Sequence, residues 1–126
     1  MKEDDLALAL RMAKEAGALL LEHWAARERL TVTAKRTGDF VSEADRAAEH
    51  HVRAELVLAR PGDGWLGEET GAAPGGDRRW IVDPLDGTTN FLHGMPHWAI
   101  SIALEHKGEI VSGVVFDAAK DEMFVA

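Results

Sequence analysis

The stretch Asp83-Pro84-Leu85-Asp86-Gly87-Thr88-Thr89-Asn90-Phe91 decides how the rest of the chain is arranged. Just before it, Trp80-Ile81-Val82 is a short apolar, β-favouring run that predicts a buried strand. Pro84 is expected to end the pairing of that strand, because proline has no N–H to donate. Gly87 permits a tight reversal of the backbone or a close approach to a ligand. The sequence therefore predicts a strand that ends in a sharp turn.

The chemistry of this turn depends on two carboxylates, Asp83 and Asp86. Residues 88–90 are good N-caps and predict the start of a short helix with free backbone N–H groups. Carboxylates facing such a turn can hold a divalent cation and a phosphate side by side. An isolated Asp-Gly pair is more often a simple hairpin turn. This run is longer and is accompanied by further acidic segments, which favours a site.

Two other acidic segments lie upstream of this turn. Trp65-Leu66-Gly67-Glu68-Glu69-Thr70 is a short strand end followed by two carboxylates. Asp39-Phe40-Val41-Ser42-Glu43-Ala44-Asp45 leads into a predicted helix, and its capping-box form alone would explain Asp45. The function we predict requires acidic side chains from these separate segments to converge on a shared cation.

Taken together, these segments resemble the inositol monophosphatase family of metal-dependent, lithium-sensitive sugar and inositol phosphatases. The resemblance is carried by Asp83–Phe91, by Gly67-Glu68-Glu69, and by Asp39-Phe40-Val41-Ser42 together with Asp45. It implies an α+β, layered sugar-phosphatase fold, with two long helices packed on a largely antiparallel sheet. It also implies Mg²⁺ as cofactor, a small-molecule phosphate ester as substrate, and a homodimer.

The resemblance assigns metal-binding roles to the acidic residues. Glu68, Asp83 and the backbone carbonyl of Leu85 would bind a first ion, and Asp83 and Asp86 a second. Such oxygen ligands suit Mg²⁺. Glu69 is expected to lie in a supporting layer, where it would help to balance the metal charge.

The resemblance also assigns the phosphate and the attacking water. Asp86, the backbone N–H groups of Gly87 and Thr88, and neighbouring Thr89 would contact the substrate. Lys35, on a basic loop, would reach the mouth of the phosphate site. Catalysis would depend on Glu68 and on Thr88 paired with Asp45, which would orient or deprotonate the nucleophilic water.

Composition narrows the class of protein. The net charge of −8 disfavours nucleic-acid and anionic-membrane partners. No cysteine is present, so a reducing cytoplasm is the expected location. The N-terminus lacks a signal-peptide pattern, and no apolar stretch approaches membrane-spanning length.

The predicted elements follow from periodicity. A first helix spans about 4–29, with a buried stripe of Leu6, Leu10, Ala13, Gly17, Leu20 and Trp24. A second spans 42–59, with Ala44, Ala48, Val52, Leu56 and Ala59 buried and Arg46, Glu49, His50, Arg53 and Glu55 mostly facing water. Short strands are predicted at 31–34 and 65–66, and a mobile glycine-rich loop at 71–77. A hairpin is predicted at 99–104 and 110–116, with a further strand at 122–126.

The length bears on activity. Residues 1–126 correspond to the N-terminal α+β portion of such a domain, and family members are substantially longer. The missing portion would supply another metal-binding aspartate and most contacts to the substrate hydroxyls. We therefore expect the 126 residues alone to bind metal with weak or absent turnover, and a longer chain to be an ordinary phosphatase.

Three alternatives remain open from sequence. A haloacid-dehalogenase phosphatase also carries Asp-Gly-Thr, but its two aspartates are two residues apart rather than three. A non-catalytic binding or assembly module is favoured by an unprotected apolar edge strand. A zinc site at His93 and His97 is disfavoured by the intervening glycine and proline. The substrate also stays open among inositol, histidinol, fructose and nucleotide phosphates.

Overall fold

The computed structural model describes residues 3–26, 34–68, 70–87, 90–91 and 94–126, and the side chains of all of these except 26 and 34–42. Two helices come first and six strands follow. They are α1 (Asp5–Ala26), α2 (Ala34–Ala59), β1 (Gly64–Gly67), β2 (Gly71–Ala73), β3 (Arg78–Asp86), β4 (Ala99–His106), β5 (Glu109–Asp117) and β6 (Glu122–Val125).

The six strands form one sheet in the order β2-β1-β3-β4-β5-β6. Four of its five pairings are antiparallel, and only β1 and β3 run parallel. The predicted hairpin is confirmed as β4 and β5, and the predicted last strand as β6. The α+β class with a largely antiparallel sheet is therefore confirmed.

Both helices pack on the sheet and share one hydrophobic core with it. Along β4, Ile100, Ile102 and Leu104 alternate with less buried residues, so this strand turns one face to the core. At Gly17 of α1, an added Cβ would lie 2.6 Å from the Phe116 ring, so glycine allows the helix to approach β5. Burying each large aliphatic side chain contributes about 1.5–3 kcal/mol.

The core-facing stripe of α1 is rotated from its predicted position. Ala13, Gly17 and Leu20 are buried as predicted, but Leu6 is exposed and Leu10 is only partly buried. Leu8, Ala9, Met12 and Ala16 complete the buried face instead. In a helix this rich in Ala and Leu, several stripes fit the helical period, and contact with the sheet selects one of them.

The start of α2 was predicted wrongly. The helix begins at Ala34 rather than at Ser42, so the segment around Lys35 is the first turn of a helix rather than a loop. Ala, Lys and Arg are good helix formers, which favours extension despite about 1 kcal/mol lost at Gly38. The buried stripe predicted for α2 is confirmed for Ala44, Ala48, Val52 and Leu56. Of the predicted strand 31–34, residues 31–33 lie outside the described part of the chain.

The predicted end of β3 at Val82 was also wrong, because the strand continues through Pro84 to Asp86. The pairing with β4 passes from Asp83 opposite Ser101 to Asp86 opposite Ala99, with one extra residue on β3. Pro84 lies within this bulge, where its missing N–H is not needed by the ladder.

Part of the predicted glycine-rich loop forms an edge strand. Residues 71–73 pair with β1 as β2, and only 74–77 lack strand structure. The pairing uses backbone groups at the free edge of β1, so no apolar pattern was present in the sequence to reveal it.

Several large apolar side chains of β5 and β6 are exposed, among them Val111, Val115 and Phe124. Within the described residues, no helix is both long enough and apolar enough to cross a membrane.

Candidate metal and phosphate site

The parallel pairing of β1 and β3 brings two acidic segments to one edge of the sheet. Gly67, the last residue of β1, is opposite Val82, and Asp83 is the next residue of β3. Glu68 and Asp83 are therefore the first residues beyond this pairing on the two strands. Glu68 is exposed and Asp83 is partly buried.

The bulge in β3 sets the position of Asp86. It lies three residues after Asp83 and is exposed at the end of the strand. Between them, the backbone N–H of Leu85 donates a hydrogen bond to Asp83 Oδ1 at 3.3 Å. The side chain of Leu85 is buried, which anchors this segment in the core.

The electrostatics of this edge disfavour negative charge. The pKa of Asp83 is raised above its ordinary value, first by burial and further by the charges of Asp86 and Glu49, while the Leu85 N–H acts in the opposite direction. Among the described residues, no lysine, arginine or histidine forms an ion pair with Glu68, Asp83 or Asp86. A bound cation would relieve this repulsion.

Glycine is required in the turn after β3. Gly87 has a positive φ of 93°, and an added Cβ would lie 2.6 Å from the carbonyl oxygen of His97. The carbonyl of Gly87 accepts a hydrogen bond from the Phe91 N–H at 3.0 Å, which closes a helical turn. The positive φ of Gly87 agrees with the predicted reversal, and residues 90–91 are helical, while Thr88 and Thr89 lie outside the described residues.

Asp45 is buried on α2, with 6% of its surface exposed. Because α2 begins at Ala34, Asp45 is in the interior of the helix and not in its first turn. Capping, the alternative that the sequence favoured, therefore does not explain this residue. Its predicted pairing with Thr88 falls outside the described residues.

The site residues are brought together in part. Glu68, Asp83 and Asp86 share an edge, but their oxygens do not form a group of three within 4.8 Å of one another. The convergence of acidic side chains from separate segments on a shared cation, which the function requires, stays a prediction. Their all-oxygen donor set fits a hard cation. The side chain of Lys35 and the whole of Glu69 lie outside the described residues.

A cavity of about 390 Å³ lies beside this edge, and the sequence did not reveal it. It is lined by Asp86 and Gly87 together with Asn90, His97, Trp98, Ala99, Asp117 and Lys120. Lys120 places its Nζ 3.1 Å from His97 Nδ1 and 3.5 Å from Asp117. The turn that positions Asp86 therefore opens onto a polar space large enough for a small ligand.

Glu49 was predicted to face water, and that prediction was wrong. It is fully buried, one helical turn after Asp45, and its Oε2 accepts a hydrogen bond from the Thr70 N–H. The spacing of Asp45, Glu49, Val52 and Leu56 in steps of four, three and four was the signal that could have identified it. Its charge was taken as sufficient reason for exposure.

Within the described residues, one group of three side chains has ligand atoms within 4.8 Å of one another: Glu15, His51 and Glu55. His51 Nε2 and Glu15 Oε1 are 2.7 Å apart, a hydrogen-bond distance. The guanidinium of Arg11 lies 3.2 Å from Glu15 and 3.7 Å from Glu55. A cation of the chain already balances these carboxylates, so the group is an ion-pair network between α1 and α2.

The sequence profile of the inositol monophosphatase family matches residues 1–126. The chain belongs to this family. It is 52% identical over 121 residues to an inositol-1-monophosphatase of Mesorhizobium japonicum, covering 94% of this chain and 46% of that protein. It is 44% identical over 123 residues to a histidinol-phosphatase of Chlorobaculum parvum, covering 97% and 47%.

The fold is also similar to that of solved structures. The crystal structure of the extragenic suppressor protein suhB of Bartonella henselae superimposes with a TM-score of 0.81 at 45% identity, covering 94% of this chain and 46% of that one. The chain therefore spans about half the length of the relatives that it matches. Membership in the family supports a phosphatase, and the names of the relatives differ in substrate.

Proposed function

We propose that this protein hydrolyses a small phosphate monoester, most specifically inositol 1-phosphate or a related polyol phosphate, with Mg²⁺ and without a covalent intermediate. The observation that carries the proposal is the parallel register of β1 and β3, which ends with Gly67 opposite Val82, directly before Glu68 and Asp83. Family membership and the name of the Mesorhizobium relative support the substrate class.

The carboxylates would bind the cations. Glu68, Asp83 and the backbone carbonyl of Leu85 would hold one Mg²⁺, and Asp83 with Asp86 a second. Bound in this way, the ions would lower the pKa of water and neutralise the charge of the phosphate. The raised pKa of Asp83 supports this role, because burial and nearby negative charge disfavour its ionised form and a bound cation would stabilise that form.

The turn after β3 would bind the phosphate. Backbone N–H groups of Gly87 and Thr88 would donate to its oxygens, with Asp86 and Thr89 beside them and Lys35 at the mouth of the site. The steric need for glycine at 87 supports this assignment, because any side chain there would clash with the His97 carbonyl. Helix N-termini suit phosphate because their N–H groups lack partners.

Asp45 and Thr88 would position the attacking water. The water would attack phosphorus, the bond to the ester oxygen would break, and the alcohol would leave with a proton. Asp45 is buried in the interior of a helix that contacts β3, which supports a functional rather than a capping role. Glu69 would support the cations from outside their ligand shell.

Hydrolysis of inositol 1-phosphate with Mg²⁺, on protein of verified intact mass, tests the proposal. Asp83→Asn is expected to abolish Mg²⁺-dependent hydrolysis and to leave the circular dichroism spectrum unchanged. Asp77→Asn, on an exposed loop residue, is the matched control and is expected to keep the rate within two-fold. Equal rates for both variants would rule out the ligand assignment.

A second candidate is a non-catalytic metal-binding or assembly module. It is favoured by the coverage of only about half of each relative and by the exposed apolar residues Val111, Val115 and Phe124. The same hydrolysis assay, run with light scattering and a panel including histidinol phosphate and fructose 1,6-bisphosphate, separates the two. A stable oligomer without hydrolysis of any ester would favour the module.

The proposal also covers the oligomeric state, the location, the inhibitor and the partners of the protein. We expect a homodimer in the cytoplasm, inhibition by Li⁺, and no nucleic-acid or membrane partner. These expectations follow from membership in the family and from the net charge of −8.

A further inference from the structure

Thr70 is held at three points by neighbouring side chains. Glu49 Oε2 accepts a hydrogen bond from its N–H, and Arg53 Nη1 donates one to its carbonyl oxygen at 3.1 Å. Trp65 Nε1 donates to its hydroxyl oxygen at 2.6 Å. We refer to Glu49, Arg53, Trp65 and Thr70 as the Thr70 clamp. Its contacts join α2 to the segment that follows β1.

The same carboxylate lies against the other end of this segment. A Cβ added at Gly67 would lie 2.8 Å from Glu49 Cδ and 2.9 Å from Glu49 Oε2. Glycine at 67 is therefore what allows the carboxylate to come so close to the backbone. Glu49 thus contacts both Gly67 and Thr70, and Glu68 lies between these two fixed points.

The clamp is internally supported. The guanidinium of Arg53 lies over the Trp65 ring at 5.8 Å, so the two side chains that hold Thr70 also hold each other. Arg53 and Glu49 are one helical turn apart on α2, and Trp65 is 4% exposed. A backbone unit held through its N–H, its carbonyl and its side chain has little freedom to move.

Glu49 acts on the segment that carries Glu68 through its geometry. Its carboxylate lies against Gly67, directly before Glu68, and accepts a hydrogen bond from the Thr70 N–H two residues after it.

We propose that Glu49 is a positioning residue, which fixes Gly67 and Thr70 on either side of Glu68 and thereby sets the affinity of the site for a divalent cation. This inference rests on the proposed function, because it requires that Glu68 and Asp83 bind the ion. A merely structural role would lower stability on substitution and leave the affinity for the cation unchanged.

The test combines two measurements on the full chain. Mn²⁺ binding, followed by electron paramagnetic resonance, reports the site, and hydrogen exchange at the Thr70 amide reports the clamp. Glu49→Ala is expected to weaken Mn²⁺ binding about 10- to 100-fold, as for other residues that support metal ligands, and to speed Thr70 exchange at least as strongly. Glu55→Gln, a partly exposed acid on the same helix, is the control and is expected to change neither.

Glu49→Gln separates geometry from charge and covers the case that the alanine variant fails to fold. It retains an acceptor for the Thr70 N–H, so exchange is expected to stay within about three-fold while Mn²⁺ affinity falls by a smaller factor than in Glu49→Ala. Unchanged Mn²⁺ affinity in a folded Glu49→Ala variant would overturn the proposal, and so would a ten-fold or larger loss of affinity in a Glu49→Gln variant whose Thr70 exchange stays slow. Wild-type protein that binds no Mn²⁺ would overturn the proposed function. The exchange rate of the Thr70 amide would still show whether Glu49 holds Thr70.

Discussion

Acidic side chains lie at both ends of β3, in opposite electrostatic settings. At its start, the guanidinium of Arg78 contacts Asp5 at 2.8 Å and Asp63 at 3.1 Å. At its end, Asp83 and Asp86 form no ion pair with any described cation. The hydrogen bond from Arg78 lowers the pKa of Asp5, whereas burial raises that of Asp83.

This difference separates a structural network from the proposed cation site. At the first end, Arg60 and Trp80 also donate to Asp5 and Asp63, so the acidic oxygens are already used. A cavity of about 540 Å³ lies there, and its two arginines, Arg60 and Arg78, are already paired with Asp5 and Asp63. At the other end, the negative charge is available to a cation from solution. The larger cavity therefore does not mark the site.

The largest expected effect is at the paired end. Arg78→Ala removes the common partner of Asp5 and Asp63 and leaves two acids near each other, so it should lower the free energy of unfolding by about 2–4 kcal/mol. Urea denaturation monitored by tryptophan fluorescence measures this. Arg79→Ala is the control, because its contact with Glu105 is more exposed and should contribute less than about 1 kcal/mol. Equal losses of unfolding free energy in Arg78→Ala and Arg79→Ala would mean that the Arg78 network stabilises the fold no more than an exposed ion pair does.

A cation should act at the other end only. Mg²⁺ at one hundred times its Kd should raise the free energy of unfolding of the wild-type protein by about 2.7 kcal/mol. Asp83→Asn should lose most of this gain and Asp77→Asn should keep it. Differential scanning fluorimetry at several Mg²⁺ concentrations provides the comparison. A full gain in Asp83→Asn would place the binding elsewhere in the molecule.

The same comparison shows what the sequence could predict. The acidic motifs that predicted a site at the end of β3 are local, since Asp83 and Asp86 are three residues apart and Glu68 follows a recognisable strand. The parallel register that ends with Gly67 opposite Val82 was not visible, because β1 is four residues long and its pairing is non-local. The sequence therefore suggested candidate site residues but not the register of the two strands that lead to Glu68 and Asp83.

The residues that were missed are charged side chains held by distant partners. Arg78 pairs with Asp5, which lies 73 positions earlier in the chain, and no local sequence pattern predicts such a contact. Glu49 was assigned to solvent by its charge although its spacing placed it on the buried stripe. Burial of a charge depends on partners that only the folded chain supplies, here Thr70.

The paired end should also show its own pH dependence. The folded pKa of Asp5 is lowered, so its contribution is present above the ordinary value of 3.8 and is lost as pH falls through the folded pKa. Asp5→Asn should cost about 1 kcal/mol at pH 7, and the difference from wild type should disappear in acid. Urea denaturation between pH 7 and pH 3 measures it. Glu22→Gln, on the exposed face of α1, should show no such trend.

The smallest effect has the opposite sign and is the sharpest test of the comparison. The folded pKa of Asp83 is raised, so its ionisation opposes folding, and this penalty develops as pH rises through the folded pKa. In EDTA, Asp83→Asn should therefore increase stability at pH 7, by less than about 1 kcal/mol, and the gain should vanish in acid. Asp5→Asn, beside the start of β3, would thus destabilise the protein, and Asp83→Asn, near the end of β3, would stabilise it. A loss of stability at both ends would mean that the carboxylate of Asp83 is satisfied without a cation.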